Sequence, residues 1–230
     1  MSTNAAVIPF QMMSEPGKAF AAVREKSHVW LPLLALSLGT AAILYWYFAT
    51  VDFAWLVEQM TSDPSLTDAQ REAARKAMSP QLLTWSAVGG SLLGVPAVCA
   101  LGALYYTLVG KFLGTEISFG KWFAFSVWTS IPQLLMLPLM ALQIMTSAGR
   151  VTMEDLSMVS LNYLVFHLPP AAAWAGMLNS LNLTLLLTIP LTVAGLRVWT
   201  GRSLATCLAI TLVAKLGIYV LWAAKIVVFS

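Results

Sequence analysis

Runs of apolar residues, each of a length suited to crossing a lipid bilayer, constrain this chain more than any other feature. An α-helix needs about 20 residues to span the hydrocarbon core, and the apolar runs cover residues 29–50, 82–109, 122–146, 181–199 and 204–228. Hydrophobic residues make up 59% of the chain and charged residues only 10%, against about 45–50% and 25% in soluble domains. We therefore predict an all-α integral membrane protein, a bundle of five transmembrane helices with short interfacial helices.

The segments outside the runs are interpreted from local signals. Residues 1–28 lack the basic region, apolar region and cleavage site that follow one another in a signal peptide, and we expect them to be a cytoplasmic segment. We expect residues 1–14 to be loose. A short amphipathic helix should follow them and lie on the headgroup surface. Thr67 and Gln70 have the spacing of a capping box, which predicts a solvated helix over 66–78. Residues 147–180 contain apolar pieces too short to cross, so we expect re-entrant or interfacial segments there. Residues 29–230 are then one membrane domain.

The second and third runs form a helical hairpin with unusual packing signals. A stripe of small residues, Ser86, Gly90, Gly94 and Gly102, follows one face of the second run. In lipid, such a stripe lets another helix approach closely; packing within the chain and dimerisation are both open, and we favour the former. The hairpin turn contains Gly114, and the third run contains Pro132 and Pro138, which are predicted to kink it.

The distribution of basic residues predicts an orientation. With the N-terminus inside, seven Lys and Arg residues fall in the inner segments and five in the outer segments. Because an excess of Lys and Arg marks the cytoplasmic side, we expect a cytoplasmic N-terminus and an extracytoplasmic C-terminus. The net charge of +3 is small and its carriers are scattered, so nucleic acid is not an expected partner.

Sequence patterns of catalysis and of cofactor binding are absent. There is no HExxH, no GxxxxGK[ST] and no GxGxxG pattern, and His28 and His167 are far apart along the chain. His167 could titrate near neutral pH at an interface, but we favour a polar anchor of its short segment. Cys99 and Cys207 both lie inside apolar runs and are interpreted as buried packing residues. We expect no enzyme activity, no cofactor and no metal.

Lys215 is the most informative single residue, because it lies near the middle of the fifth run. An ionisable group at that depth is expensive to insert and suggests a functional role. No acidic residue lies inside any of the five runs, so a charge partner within the membrane is missing from the sequence. The alternative, which we favour, is an ammonium group that bonds to carbonyl or hydroxyl groups of the bundle or snorkels on its long stem.

Several short motifs occur in a characteristic order. Glu15-Pro-Gly-Lys-Ala-Phe20 is followed by the Lys111–Lys121 turn and by Ile131-Pro132, and then by Leu181-Asn-Leu183, Ala194-Gly-Leu196 and Ser203. In this the chain resembles the Yip family, membrane proteins named for interaction with Ypt/Rab GTPases, in its bacterial branch. The resemblance implies a five-helix bundle with a cytosolic N-terminus. The Asp-Leu-Tyr-Gly-Pro signature of eukaryotic relatives is missing here, which argues against a Rab-type GTPase partner.

Two functions from different classes follow from these observations. We favour a non-enzymatic scaffold of the cytoplasmic membrane of a bacterium, which contacts lipids and packs against itself or against other membrane proteins. The alternative is a transporter of small solutes or ions. In that case the prolines at 132, 138 and 190 would break spans, and Lys215 together with Gln133 and Gln143 would line a site.

Overall fold

The computed structural model of the chain describes residues 8–62, 66–170 and 172–229. Over these ranges the backbone is largely helical, with a single antiparallel bridge between Ser160 and Asn182. The α-helices are α1 (Ile8–Ser14), α2 (Pro16–Glu25), α3 (Trp30–Thr50), α4 (Phe53–Met60), α5 (Asp68–Ala77), α6 (Pro80–Phe112), α7 (Phe119–Thr129), α8 (Met136–Thr146), α9 (Ala175–Ser180), α10 (Thr184–Thr200) and α11 (Leu204–Phe229). A 3₁₀ turn, Ile131–Leu135, separates α7 from α8, and a π-helical turn covers Asn162–Phe166.

Four helical segments in the described ranges are long and apolar enough to cross a membrane. They are α3, α6, the combined segment Phe119–Thr146, and α11 over Leu204–Val228. The all-α membrane bundle expected from the apolar runs is thus confirmed. The predicted run at 181–199 corresponds to α10, which has 17 residues and is therefore shorter than the ~20 that a perpendicular span requires.

The prolines affect the helices in different ways. α7 ends at Thr129, and Pro132 lies in the 3₁₀ turn that follows, as expected for a residue that lacks an N–H and clashes with the preceding turn. Pro138 lies in the first turn of α8, where its missing donor would be unpaired in any case, and the helix continues through it. α10 likewise continues through Pro190. The third run is thus interrupted at Ile131–Leu135, between α7 and α8, while α10 is continuous at Pro190.

The soluble stretch after α4 folds as its local signals indicate. The Thr67 hydroxyl accepts from the Gln70 N–H, and the Gln70 side chain accepts from the Thr67 N–H, so the capping box is confirmed. Glu72 and Lys76 form an ion pair of 3.3 Å one turn apart. Both residues are largely exposed, so this pair adds little to stability. Helix α5 buries no residue.

The chain divides into two compact units. The first unit contains the described residues up to Ser37 together with Gly94–Leu134 and Thr184–Leu221, and the second contains Leu38–Leu93, Leu135–Leu183 and the residues from Trp222 on, within the described ranges. Each unit has its own apolar core.

The N-terminal helices belong to the core of the first unit. Ile8 of α1 is 1% exposed and Phe20 of α2 is fully buried. Helix α2 packs against α7 and α10. The loose end expected over 1–14 is wrong for residues 8–14, which form α1, and residues 1–7 lie outside the described ranges. The short helix expected after it is present as α2, but protein covers its apolar face, which a hydrophobic pattern alone cannot distinguish from lipid.

Two tryptophans attach this N-terminal segment to the bundle. The indole N–H of Trp199 donates to the Phe20 carbonyl, and that of Trp128 donates to the His28 carbonyl, both at 2.9 Å. The Phe20 ring packs against the Phe125 ring with centroids 5.3 Å apart. A Cβ atom at position 195 would lie 2.6 Å from the Phe125 ring and 2.9 Å from the Phe20 ring. The glycine at this position therefore allows the close approach of the two rings.

The second unit is organised around Tyr47. Its ring is 1% exposed, and its hydroxyl donates to the Val151 carbonyl at 2.9 Å. The hydrogen bond matters because a buried hydroxyl without an acceptor is costly. The surrounding core is formed by apolar side chains of α3, α4, α8 and the segment after α8, namely Phe48, Leu56, Ile144, Val151 and Leu156.

The close packing at Gly195 generates a prediction. In Gly195→Ala the added methyl group overlaps the Phe20 and Phe125 rings, and we expect overpacking to destabilise the fold by about 1–3 kcal/mol, more than the ~1 kcal/mol that alanine adds in helix propensity. The measurement is the thermal unfolding temperature in detergent. Gly89→Ala is the matched control, since its methyl group meets no described atom within 4 Å. Equal unfolding temperatures for Gly195→Ala and Gly89→Ala would contradict the packing described here.

Candidate functional site

A groove of about 1020 Å³ in the first unit is the main candidate site. It is lined by residues of α6, α7, the 3₁₀ turn, α10 and α11. Most of its wall is apolar, and Val98, Leu101 and Val213 are more than half exposed along it. A mostly apolar groove with a few polar groups is typical of a binding site. The polar residues of its lining include Ser126, Ser130, Gln133, Thr188 and Lys215.

Lys215 provides the charge of the groove. It lies eleven residues after Leu204, the first residue of α11, and thus about 16 Å along the helix axis from that end. Within the part of the chain that the structure describes, its ammonium group forms no ion pair and no hydrogen bond. Cys99 and Ser130 lie nearby. The carbonyl or hydroxyl partner expected from the sequence is therefore not observed.

Two buried hydroxyl groups line the same groove. Tyr106 is 2% exposed and Ser126 is 5% exposed, and neither hydroxyl has a hydrogen-bond partner among the described residues. Native structures leave few buried polar groups unpaired, so each such group calls for an explanation. By contrast, the hydroxyl of Tyr105 donates to the Ile210 carbonyl at 2.9 Å. The groove thus combines, within the described ranges, an unpaired cation with two unpaired hydroxyl groups.

An aromatic cluster supports one wall of the groove. The Tyr106 ring stacks on Trp122 with centroids 5.7 Å apart and meets Phe125 edge-on at 5.1 Å. Trp199 packs against both Trp122 and Phe125. Sequence patterns do not single out this cluster, because its members come from α6, α7 and α10. The available signal was the recurrence of aromatic residues over 119–128.

The second unit contains a polar cleft of about 590 Å³. Its lining includes Gln143, Arg150, Glu154, Asp155, Asn162 and His167. Two carboxylates and one imidazole are thus present, which raises the question of a metal site. Among the described residues, however, no group of three or more His, Cys, Asp or Glu side chains could hold a metal ion.

The charge of Arg150 in this cleft is already compensated. Arg150 lies 3.3 Å from the Asp52 carboxylate, which also accepts from the Trp55 N–H at 3.1 Å. The Trp55 hydrogen bond and the Arg150 guanidinium both hold the pKa of the Asp52 carboxyl below its ordinary value. His167 has a left-handed backbone, and its N–H donates to the Asn162 carbonyl. The cleft therefore offers a weaker case for ligand binding than the groove.

The residues of the small-residue stripe have different surroundings. A Cβ atom at Gly102 would lie 2.8 Å from Ser126 Oγ, so this glycine is in close contact within the first unit. A Cβ atom at Gly90 or at Gly94 would meet no described atom within 4 Å, and Ser86 is exposed. Packing within the chain is thus present at Gly102 and is not observed at Gly90 or Gly94.

The other predicted residues are placed as follows. Gly114 has a φ of 72° in the turn after α6, a conformation that favours glycine. Gln133 lines the groove together with Lys215, whereas Gln143 lines the cleft of the second unit. Of the three polar residues expected to line one transport site, Gln133 and Lys215 line the same groove.

The apolar helices and the groove among them define a multi-pass helical membrane protein. The family model of the Yip1 domain matches residues 10–224, so the chain belongs to the Yip1 domain family. The family resemblance drawn from the short motifs is confirmed. No curated protein and no solved structure matches the chain.

The contact between Gly102 and Ser126 generates a double-variant prediction. In Gly102→Ala the new methyl group would lie 2.8 Å from Ser126 Oγ, and we expect a lower unfolding temperature because overpacking costs about 1–3 kcal/mol. Ser126→Ala removes an unpartnered hydroxyl and should be nearly neutral. The double variant should unfold at or above the temperature of the wild type, because the clashing atom is gone and alanine adds about 1 kcal/mol in helix propensity. Additive effects of the two substitutions would show that the two residues do not interact.

Proposed function

We propose that this Yip1 domain protein is a non-enzymatic membrane scaffold that acts by packing against other membrane proteins or against itself. The observation that carries the proposal is the low coverage of two long helices. In the most apolar stretch of 18 residues, only 17% of the residues of α6 and 11% of those of α11 are buried. The corresponding fraction for α3 is 44%. Uncovered helix surface of this extent is available to lipid or to partner helices.

The surface at Gly90 and Gly94 supports association in particular. No described atom lies within 4 Å of the place that a Cβ atom would occupy at either position, so the backbone of α6 is accessible there. Helices in lipid associate through close packing, and glycines four residues apart permit the closest approach. This face of α6 is therefore a surface through which the scaffold would bind a second helix.

The test is chemical cross-linking and native mass spectrometry of the full chain in lipid nanodiscs. We expect oligomers or defined complexes, and we expect Gly94→Leu to reduce them because a leucine blocks close approach of the helices. Gly89→Leu is the control, since Gly89 also has free space around it but, five residues away, lies on a different face of α6. A strictly monomeric chain that forms no complex would contradict the proposal.

A second candidate function is transport of a small solute or ion. It is favoured by the presence of Lys215 and Gln133 in the same groove. The span Phe119–Thr146 is interrupted by the 3₁₀ turn at Pro132, as transporter helices often are, whereas α10 continues through Pro190. If the wild type carries a solute into proteoliposomes and Lys215→Met does not, transport replaces the scaffold role as the proposed function.

We also propose that the protein resides in the cytoplasmic membrane of a bacterium, with the N-terminus inside and the C-terminus outside. The excess of Lys and Arg in the predicted inner segments supports this orientation. A cysteine introduced after Phe229 should react with a membrane-impermeant thiol reagent added to intact spheroplasts. The unaltered chain is the control, because Cys99 and Cys207 are buried. If the introduced cysteine reacts only after the membrane is opened, the C-terminus lies inside and the proposed orientation is wrong.

A further inference from the structure

We propose that the groove around Lys215 receives a transmembrane helix of another protein, and that a carboxyl group of this helix binds the Lys215 ammonium within the bilayer. The inference rests on the proposed scaffold function and names the class of partner. Three observations support it: the charge of the groove, the depth of Lys215 and the size of the groove.

The charge of the groove calls for an acidic partner. A lysine near the bilayer centre carries a large insertion penalty. Among the described residues no ion pair and no hydrogen bond offsets this penalty for Lys215. A carboxyl group would accept from the ammonium group and offset part of the penalty, because an ion pair is strong where water is excluded, less the cost of removing both groups from water.

The apolar runs of a second copy of this chain cannot supply that carboxyl group. All ten acidic residues of the sequence lie outside the five runs, at positions 15, 25, 52, 58, 63, 68, 72, 116, 154 and 155. A helix of this chain that entered the groove of another copy would therefore bring no acidic side chain to the depth of Lys215. An acid carried on a membrane-spanning helix must therefore come from a different molecule.

The depth of Lys215 favours a helix over a phospholipid. Lys215 is about 16 Å along α11 from Leu204 and farther from Phe229. The phosphate of a lipid stays in the headgroup region, outside a hydrocarbon core of about 30 Å. A transmembrane helix, in contrast, can carry a carboxyl group to any depth.

The groove has a suitable size for a helix. Its volume of about 1020 Å³ corresponds to roughly two turns of a helix that is about 10–12 Å wide with a pitch of about 5.4 Å. The exposed apolar residues Val98, Leu101 and Val213 along it would contact the side chains of the incoming helix.

The experiment measures binding of a synthetic transmembrane peptide to the full chain in vesicles of phosphatidylcholine. The peptide is a leucine-alanine helix with one central Asp, and the comparison peptide has Leu at that position. Binding is followed by energy transfer between labels on the peptide and on the protein. We expect the Asp peptide to bind about tenfold more tightly, near the upper end for polar contacts between membrane helices.

Three variants test the role of the ammonium group. Lys215→Met should abolish the preference for the Asp peptide, and Lys215→Arg should retain it. Lys225→Met is the matched control, because Lys225 is an exposed lysine of the same helix, and it should bind both peptides as the wild type does. Equal binding of the two peptides by the wild type, or loss of the preference in Lys225→Met, would overturn the inference.

A lipid arm tests the other possible occupant. If native mass spectrometry finds an anionic lipid that is retained by the wild type and lost in Lys215→Met, and if this lipid displaces the Asp peptide, the groove is a lipid site and the inference fails. The groove can thus prove to be a lipid site without affecting the scaffold proposal, provided that cross-linking still detects oligomers. If no oligomer and no peptide complex forms, the scaffold proposal fails as well.

Discussion

The first unit depends on the burial of a short N-terminal helix among tryptophans. The indole groups of Trp199 and Trp128 donate to main-chain carbonyls at Phe20 and His28. An indole N–H has no water to bond to in an apolar interior, so a main-chain acceptor fixes both partners. The Phe20 ring then occupies the space that Gly195 leaves open beside Phe125. The positions of α2, α7 and α10 follow from these contacts.

Sequence reasoning succeeded where the physical signal is local. Apolar length predicted the membrane helices, and the spacing of Thr67 and Gln70 predicted the capping box. Sequence reasoning failed where the structure depends on which molecule or helix packs against a given residue. The apolar face of α2 is visible in the sequence, but the sequence does not show whether lipid or protein covers it. The prolines of the third run show a related limit: Pro138 lies in the first turn of α8, where a proline is tolerated, whereas Pro132 lies where α7 has ended.

The candidate groove could likewise be predicted from the sequence only in part. Lys215 could be found from its depth in an apolar run, and this required no structure. Its surroundings could not be found in that way, because Tyr106 and Ser126 come from different helices. The place of Gln133 beside Lys215 likewise became visible only with the fold. A single-residue signal therefore located the groove, while tertiary contacts determined its chemistry.

The unequal lengths of α6 and α10 have a consequence for the surrounding membrane. The 33 residues of α6 extend about 50 Å, whereas the 17 residues of α10 extend about 26 Å at 1.5 Å per residue. A bilayer with a hydrocarbon core of about 30 Å cannot match both helices. If α10 crosses, headgroups and water must dip towards its ends, so that the local thickness of the lipid varies around the protein.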